Sequence, residues 1–296
     1  MSVAATTSRR SARVAATRRR RTAFVLAGGA GLGAMQAGML RALFEQGIDA
    51  DLLVGASAGA LNAAYVASRP QTVPTAKGLA EVWRSLRRED VFPIRPSTLI
   101  AGLRNHRDHL VPNGPLTRVI SRHLELERLE DAGVPLHVVT FDLLSGEEVR
   151  LSAGPALPAV LAATAIPGVF APVRWGERLL VDGGVVNNIP ISHALELSAK
   201  RIYVLPTQNP TVRKLTQPPR GALDAAAHAF ALLADARLQS DLARYAEAAE
   251  LIMLPAVNAG RAQLTDFDQA DRLIAGALKA ARDLLSDTRV ADLLAA

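Results

Sequence analysis

The sequence contains no cysteine, and this absence removes several kinds of chemistry at once. A chain without thiols forms no disulfide, offers no thiolate to a metal and has no cysteine nucleophile. The lack of cysteine also fits a cytoplasmic setting, where disulfides are rare. Any nucleophile in this chain therefore has to be another side chain, such as a hydroxyl.

Long apolar runs are also lacking. The basic cluster Arg18–Arg21 precedes an uncharged stretch, Thr22–Leu40, and this pattern resembles the start of a signal peptide. However, five glycines lie between Gly28 and Gly38, and glycine disfavours a hydrophobic helix. No other uncharged run approaches the roughly 20 apolar residues that a membrane span needs. We therefore expect a cytoplasmic protein that is soluble or binds membranes peripherally.

The positive charge of the chain is concentrated in its first 21 residues. This segment holds seven arginines and no acidic residue, so subtracting it from the formal net charge of +6 leaves −1 for residues 22–296. A nearly neutral body argues against a nucleic-acid-binding groove in the folded domain, so we expect no nucleic-acid partner. Because residues 1–21 combine high charge with low hydrophobicity, we expect them to form a disordered tail.

The Arg-rich tail, residues 1–21, has two interpretations. Anionic lipid would attract it, since each basic side chain near a membrane surface contributes about 1 kcal/mol. Alternatively, the tail is dispensable. Arginine outnumbers lysine by 30 to 4 in the whole chain, so an arginine cluster carries less information here, and we favour the second interpretation.

The rest of the chain alternates apolar, strand-like runs with helix-like segments, which indicates α/β architecture. At 296 residues the chain can bury a sizeable core, and we expect one domain over residues 22–287 with a C-terminal tail over residues 288–296. Strands are predicted at Ala23–Ala27, Asp51–Val54, Leu136–Phe141, Glu148–Leu151, Leu179–Val181, Arg201–Leu205 and Glu250–Leu254. Helices are predicted at Gly33–Gln46, Ala58–Ser68, Thr75–Arg87, Pro115–His123 and Pro190–Ser198.

Three further segments are less well defined by their patterns. Leu223–Ala249 and Asp268–Ser286 are long and amphipathic, and we favour helices that cover the sheet over a membrane-binding face. Asp90–Pro115 has weak periodicity and two prolines near its start. This segment is our candidate for a lid or substrate-facing loop, with an ordinary surface connection as the alternative.

One pentapeptide, Gly55-Ala56-Ser57-Ala58-Gly59, follows an apolar run and precedes a helix-like segment. A strand that turns sharply on a serine and continues as a helix exposes that side chain, which is the nucleophile-elbow arrangement. Gly55 and Gly59 make the turn sterically possible, because a Cβ there would press on the opposite limb. GxSxG also arises by chance in a chain rich in alanine and glycine, so Ser57 needs support from elsewhere in the sequence.

Two other glycine-containing turns supply that support. The loop Gly28-Gly29-Ala30-Gly31-Leu32-Gly33 follows the first predicted strand and precedes a helix. Asp182 follows another strand and precedes the pair Gly183 and Gly184. Three glycine-lined turns at strand ends, one with a serine and one with a carboxylate, are typical of a catalytic site.

The three turns contain the groups that acyl transfer requires: a hydroxyl nucleophile, a base and hydrogen-bond donors. A hydroxyl nucleophile requires a base, and the oxyanion formed on attack requires donors that already point at it. Asp182 can act as the base for Ser57. Backbone N–H groups of Gly29, Ala30 and Gly31 can act as the donors, since glycine lets successive N–H groups converge at the start of a helix.

With these residues the chain resembles the patatin-like phospholipases, lipid acyl hydrolases that use a Ser–Asp dyad without histidine. The resemblance extends from about Thr22 to about Asp287 and includes two further markers, Ala163–Pro172 and Asp182–Pro190. It implies a three-layer α/β/α fold with a central, mainly parallel sheet, a lipid or acyl-ester substrate, and no cofactor or metal. It also implies Ser57 as nucleophile, Asp182 as base and an oxyanion hole. The oxyanion hole would be formed by Gly28, Gly29, Ala30, Gly31 and Gly33.

One position departs from the family pattern. Patatin-like chains usually carry Arg or Lys before the last glycine of the oxyanion loop, where this chain has Leu32. The missing cation could weaken catalysis, or it could matter little if this side chain packs against the loop. A catalytically weak scaffold that retains the fold is therefore one alternative.

Two other enzyme classes remain as alternatives. The glycine loop also fits a dinucleotide-binding fingerprint, but Asp51 lies at the start of the second strand rather than at its end, where it would reach a ribose. An α/β-hydrolase with a Ser–Asp–His triad would use His193 or His228, which follow Asp182 in the required order. Neither histidine lies in a loop context that would let it swing over Ser57.

Overall fold

The computed structural model describes residues 21–93, 108–208, 222–245, 247–258 and 265–295. Most of the predicted N-terminal tail and the middle of the candidate lid lie outside the described residues. The helix predicted at 268–286 is longer in the structure, where it continues to Ala295 through the segment predicted as a C-terminal tail.

In the described part of the chain, eight strands form one sheet, and all seven predicted strands are among them. The additional strand has only three residues, too few for a clear alternating pattern. The strands are β1 (Thr22–Leu26), β2 (Leu52–Ala56), β3 (Leu136–Asp142), β4 (Glu148–Leu151), β5 (Val173–Trp175), β6 (Arg178–Asp182), β7 (Arg201–Leu205) and β8 (Glu250–Met253).

The sheet has a parallel centre and an antiparallel margin. Strands β3, β2, β1, β7 and β8 lie side by side in that order and run parallel. Strands β4 and β6 both pair antiparallel with β3, and β5 pairs antiparallel with β6. The carboxyl ends of the parallel strands therefore share one edge, the edge at which open α/β sheets place their sites.

In the described structure, turns connect β3 to β4 and β5 to β6, and the other connections contain helices. The helices are α1 (Ala34–Glu45), α2 (Ala58–Ala67), α3 (Val73–Ser85), α4 (Arg88–Val91), α5 (Gly114–His123), α6 (Ala156–Ala163), α7 (Ile191–Glu196), α8 (Ala222–Tyr245) and α9 (Ala270–Ala295). Short 3₁₀ turns lie at Ala30–Gly33, Leu129–Asp131 and Gly183–Val185. The unpredicted helix α6 is apolar on nearly all sides, so it has no amphipathic period, and its proline lies in the first turn, where the missing N–H costs nothing.

Both faces of the sheet are covered, which makes the fold a three-layer α/β/α sandwich, as predicted. Alternate residues of β1 point to opposite sides: Phe24 and Leu26 belong to one core cluster, Ala23 and Val25 to the other. Helices α1, α2, α3, α6 and α9 contribute to the first cluster, and α7 and α8 to the second. The near-continuous apolar sequence of β1 follows from burial on both faces.

The long helix α9 covers the sheet through close contact with α1. A Cβ at Gly38 of α1 would collide with the main chain of α9, 2.8 Å from the nitrogen of Leu278. The side chains of Leu273, Ala277 and Ala281 are buried in the same contact region. In the part of the chain that the structure describes, no helix has both the length and the hydropathy required to cross a membrane.

Candidate active site

Ser57 lies at the junction between β2 and α2 in a strained backbone conformation. Its φ is +53° and its ψ is −128°, a region that non-glycine residues rarely adopt. The glycines around it permit this turn. A Cβ on Gly55 would lie 2.6 Å from the carbonyl carbon of Gly59, and a Cβ on Gly59 would press on the main chain of Leu26 in β1. The turn at Ser57 is therefore packed tightly against the first residues of α2 and against β1.

Asp182 reaches Ser57 because β2 and β6 meet end to end beside β3. Ala56, the last residue of β2, pairs with Val139, and Asp182, the last residue of β6, pairs with the next residue, Thr140. Since β4 occupies the other edge of β3 at both positions, β2 and β6 share one edge. The two strands run in opposite directions, so their carboxyl ends face each other.

Gly183 allows this close approach to β3. A Cβ at Gly183 would lie 2.6 Å from the carbonyl carbon of Val139 and 2.8 Å from the nitrogen of Thr140. Any side chain would therefore push the turn after Asp182 away from the strand. This contact explains a glycine that the sequence pattern identified only by its position.

The segment after α6 holds both main chains in place. The N–H of Ser57 donates to the carbonyl oxygen of Ala163 at 3.0 Å, and the N–H of Asp182 donates to that of Ala165 at 2.9 Å. Ala163 and Ala165 begin the marker segment Ala163–Pro172. Two backbone hydrogen bonds only two residues apart thus fix the relative position of the serine and the aspartate.

The carboxylate of Asp182 is almost completely buried, with 3% of the residue exposed. Burial raises the pKa of Asp182 to about 7, although the nearby Ser57 hydroxyl and the N–H of Gly184, which donates to Oδ1 at 2.8 Å, act in the opposite direction. A Cβ on Gly184 would lie 3.1 Å from Oδ1 of Asp182 and 3.8 Å from Cβ of Ser57. A side chain at Gly184 would therefore crowd both catalytic candidates, which lie on the same side of this glycine.

The glycine loop lies directly against Ser57. A Cβ on Gly28 would be 2.8 Å from Cβ of Ser57, so only glycine lets the loop approach the serine. The N–H of Gly28 donates to the carbonyl oxygen of Asn188 at 3.1 Å and is not available to a ligand. Among the residues described, the N–H groups of Gly29, Ala30 and Gly31 have no hydrogen-bond acceptor. These three groups are the free donors of the loop.

The left-handed backbone conformation in this loop is adopted by an alanine and not by a glycine. The residue with a left-handed backbone is Ala30, at φ +46°, whereas the neighbouring Gly29 has an extended φ of 165°. Gly29 is required for another reason, since a Cβ there would collide with the side chain of Thr207. Gly33, at the end of the 3₁₀ turn, packs against Trp83, whose ring atom Cζ2 would lie 3.0 Å from an added Cβ.

Leu32, the departure from the family pattern, points into the protein. It is 3% exposed and belongs to the main hydrophobic cluster. A leucine at this position thus contributes to packing beneath the loop. The free N–H groups of the loop remain available without any cation at this position.

Sequence reasoning missed the polar side chains that hold this loop. Thr207 and Asn188 both donate to the carbonyl oxygen of Gly28, the second over 3.4 Å. On the other side, Gln36 and Asn62 donate to main-chain oxygens at the two ends of the loop. In the sequence, Gln36 and Asn62 each stand out only as a single amide residue within a largely apolar helix. Such a pattern does not indicate which group the amide contacts.

An apolar cleft opens beside Ser57. Aromatic rings form part of its wall: Phe92 lies 5.3 Å from Phe170 and 6.2 Å from Phe267, measured between ring centroids. Because hydrocarbon walls favour hydrocarbon ligands, the cleft suits an alkyl or acyl chain. The cleft is lined by Ala30, Ser57, Ala58, Leu61, Trp83, Leu86, Val91, Phe92, Leu116, Val119, Thr164, Ile166, Phe170 and Phe267.

The histidines considered for a triad are engaged elsewhere or lie on other elements. Nε2 of His193, on α7, is 2.6 Å from the carboxylate of Glu148, and its Nδ1 is 3.3 Å from that of Glu196. His228 lies on α8. Within the described ranges, the groups that act on the pKa of Asp182 include no histidine.

Asp51, the acid considered for a dinucleotide-binding site, is separated from the glycine loop. The carboxylate of Asp51 accepts a hydrogen bond from the N–H of Thr22 at 2.8 Å, at the amino end of β1. The glycine loop begins at the carboxyl end of the same strand, so Asp51 lies at the opposite edge of the sheet. In the described part of the chain, no three His, Asp or Glu side chains are grouped to hold a metal.

Comparison with known proteins places these features in context. The family model of the patatin-like phospholipases matches residues 24–195, more than half of the chain. An uncharacterized NTE family protein of Mycobacterium tuberculosis is 32% identical over 174 residues, covering 58% of this chain and 45% of that protein. The mouse patatin-like phospholipase domain-containing protein 7 is 29% identical over 188 residues, 62% of this chain and 13% of that protein.

Two more distant similarities were found. Lysophospholipase NTE1 of Mycosarcoma maydis is 26% identical over 189 residues, 61% of this chain and 9% of that protein. The crystal structure of VipD from Legionella pneumophila aligns with 90% of this chain and 67% of that chain, at 16% identity and a TM-score of 0.47. The chain thus spans less than half of the length of each relative compared by sequence.

Proposed function

The chain belongs to the patatin-like phospholipase family, and we propose that it is a lipid acyl hydrolase in which Ser57 is the nucleophile and Asp182 the base. The observation that carries this proposal is the position of the Ser57 side chain beside the buried Asp182 carboxylate. Family membership supports lipid hydrolysis in general. The roles of the two residues are our inference from their geometry.

In the first half of the reaction, Asp182 accepts the proton of the Ser57 hydroxyl while the serine oxygen attacks the ester carbonyl. A carboxylate with an ordinary pKa near 4 is a weak base at neutral pH. Burial raises the pKa of Asp182 to about 7, and a base works best when its pKa lies near the working pH. Burial thus supports a carboxylate acting without histidine.

The negative charge that develops on the carbonyl oxygen is held by backbone donors. The free N–H groups of Gly29, Ala30 and Gly31 are the candidates, since no other acceptor competes for them in the described structure. Helix α2 begins immediately after Ser57, and the positive end of its dipole adds to this stabilisation. Such donors typically contribute about 3–4 kcal/mol each to the transition state.

In the second half, water completes the cycle. The tetrahedral intermediate collapses, the ester C–O bond breaks, and the leaving alcohol takes the proton from Asp182. Water then gives a proton to Asp182 and its hydroxide adds to the acyl carbon. Breakdown of this second intermediate releases the fatty acid and returns the proton to the serine oxygen.

The apolar cleft supports an acyl substrate. One acyl chain would lie against Leu61, Phe92 and Phe170 with its carbonyl at Ser57. Phospholipids, lysophospholipids, acylglycerols and simple esters share this acyl group, and the name of one relative includes lysophospholipase. The cytoplasmic location and the peripheral membrane contact expected from the sequence stay predictions.

A panel of acyl esters tests this function. The panel combines p-nitrophenyl esters of increasing chain length with phosphatidylcholine and lysophosphatidylcholine, and compares the native chain with Ser57→Ala. We expect hydrolysis by the native chain and none by Ser57→Ala. Ser68→Ala is the matched control, because the Ser68 hydroxyl bonds to carbonyl groups of its own helix and to the neighbouring Arg69, away from Ser57, and it should retain activity. Equal activity in Ser57→Ala would overturn the proposal.

A further inference from the structure

Three buried side chains form a continuous hydrogen-bonded chain beneath the glycine loop. The indole N–H of Trp83 donates to Oδ1 of Asn62 at 2.8 Å. The amide nitrogen of Asn62 donates to Oε1 of Gln36 at 2.7 Å. Helices α1, α2 and α3 each contribute one member, so the chain links three elements of one layer of the sandwich.

The orientation of every amide in this chain is determined by the first member. An indole nitrogen can only donate, so the atom of Asn62 that faces Trp83 has to be its oxygen. The nitrogen of Asn62 then faces Gln36, whose facing atom has to be its oxygen. The nitrogen of Gln36 is thereby left to donate to carbonyl groups, and no member can flip without losing hydrogen bonds.

The remaining N–H groups of Gln36 and Asn62 donate to main-chain oxygens at the two ends of the glycine loop. The nitrogen of Gln36 donates to the carbonyl oxygens of Ala27 and Leu205, at 2.8 and 2.9 Å. Ala27 is the last residue before the loop, and its N–H also donates to Leu205, at 3.1 Å. The second hydrogen of Asn62 goes to the carbonyl oxygen of Gly33, the last residue of the loop, at 2.9 Å.

Trp83 also contacts the loop and the cleft with its ring. The ring lines the apolar cleft beside Ser57 and stacks on Phe267, with 6.3 Å between centroids and 14° between planes. Its outer edge lies against Gly33, where an added Cβ would be only 3.0 Å from Cζ2. The same side chain therefore forms a wall of the substrate cleft and anchors the amide chain.

We propose that Trp83, Asn62 and Gln36 are positioning residues that hold the glycine loop in its donor geometry. This proposal rests on the function proposed above. It separates two roles of Trp83: the ring shapes the cleft for the acyl chain, and the N–H fixes the loop. Loss of the N–H should then slow the reaction for every acyl chain, whereas a change in the ring should affect long chains alone.

Trp83→Phe removes the N–H and keeps an aromatic ring in the cleft. We would measure kcat and KM for p-nitrophenyl acetate, whose two-carbon acyl group makes little contact with the cleft wall, and for p-nitrophenyl decanoate, whose ten-carbon acyl group would lie along it. The expected result is an about 10-fold or larger fall in kcat for both esters, with KM for the acetate unchanged. Trp175→Phe, the other tryptophan, is the matched control and should leave both constants unchanged. A loss confined to the decanoate would overturn the proposal.

Gln36→Met tests the chain from its other end. Gln36 does not line the cleft, so its substitution cannot alter acyl packing directly, and methionine has a similar shape without donors. The expected result is an equal fall in kcat for acetate and decanoate. Unchanged kcat in a folded Gln36→Met protein would contradict the proposal, even if Trp83→Phe proved too unstable to measure.

Hydrogen exchange separates this proposal from the proposed function. The N–H of Gly28 and that of Leu32, which donates to Gly29 at 3.0 Å, report on the loop without any substrate. Both should exchange at least about 10-fold faster in Gln36→Met than in the native chain, and at native rates in Trp175→Phe. If the native chain cleaves no ester, the proposed function fails, while unchanged exchange in Gln36→Met would show that the amide chain does not hold the loop.

Discussion

The hydroxyl of Ser57 lies close enough to the carboxylate of Asp182 to lower its pKa, in a site from which solvent is largely excluded. Ser57 is 9% exposed and Asp182 3%, although 125 positions separate them in the sequence. Their meeting follows from the sheet, because β2 and β6 approach each other from opposite directions along one edge of β3. Burial raises the pKa of Asp182 to about 7, which would make its carboxylate a stronger base.

The pH dependence of hydrolysis should report Asp182. Only the ionised carboxylate can accept the Ser57 proton, and burial raises the pKa of Asp182 to about 7. We expect kcat/KM to rise about 10-fold per pH unit below pH 7 and to level off above it, as measured with a short-chain ester. Asp182→Asn should lower kcat by roughly 10²- to 10⁴-fold at pH 8, where the native carboxylate is ionised, and its residual activity should lack the rise toward pH 7. A profile that is flat from pH 5 to 8 would argue against Asp182 as the base.

The buried carboxylate of Asp182 should destabilise the native state at high pH. Between pH 4 and pH 7 the folded protein keeps the Asp182 proton, whereas the unfolded chain has released it, so stability falls as the pH rises. Asp182→Asn removes this cost, which is at most about 4 kcal/mol for roughly three pKa units. We expect the variant to melt above the native chain at pH 8 and near it at pH 4, as measured by calorimetry. A variant that melts lower at pH 8 would show that the carboxylate is not destabilising.

Gly28→Ala should block the contact between the loop and the serine. The new methyl group would lie 2.8 Å from Cβ of Ser57 and would collide with Asn188, so the loop has to move. Because loop donors contribute several kcal/mol, we expect kcat to fall roughly 10²- to 10³-fold. Gly114→Ala is the control, since its new methyl group would only approach Arg118 at 3.7 Å. Native activity in Gly28→Ala would contradict the placement of the loop.

Leu61→Trp should change the acyl-chain preference. Leu61 lines the cleft one helical turn after Ser57, so a larger side chain would fill part of the space for the acyl chain. We expect kcat/KM to fall at least about 10-fold for decanoyl esters and to change little for acetyl esters. Leu144→Trp, at an exposed position, serves as the control. Equal effects on both esters would mean that the chain lies elsewhere.

His193→Ala distinguishes the dyad from a triad. His193 pairs with Glu148 on a different part of the fold, so its loss should affect stability more than catalysis. We expect kcat within about threefold of the native value, measured below the melting range of the variant. A fall of roughly 10³-fold with the fold intact would instead indicate a catalytic histidine.

The layers of the fold were predictable because β1 and its neighbours have local patterns. A buried parallel strand needs a continuous apolar run, and β1, β2 and β7 have one, whereas β4 alternates charged and apolar residues as an antiparallel strand does. The three-residue β5 and the uniformly apolar α6 have no such period. Their existence depends on pairing with β6 and on burial beneath the elbow, which only the folded chain determines.

The candidate site was predictable as far as its residues are marked by turns. Ser57, Asp182 and the glycines stand at strand ends, where the reason for each residue type is local. The role of Ala163 and Ala165 is different, since it consists of backbone hydrogen bonds that any residue could make. Trp83 was unpredictable for a related reason, because its partner Asn62 lies 21 positions away on another helix.

The most direct test of the Ser57–Asp182 pair is covalent labelling by a fluorophosphonate probe, followed by intact-protein and peptide mass spectrometry. The account predicts one label per native chain, located on Ser57, no label on Ser57→Ala, and at least about 100-fold slower labelling of Asp182→Asn. Labelling of Asp182→Asn at the native rate, or a label on a different serine, would contradict it.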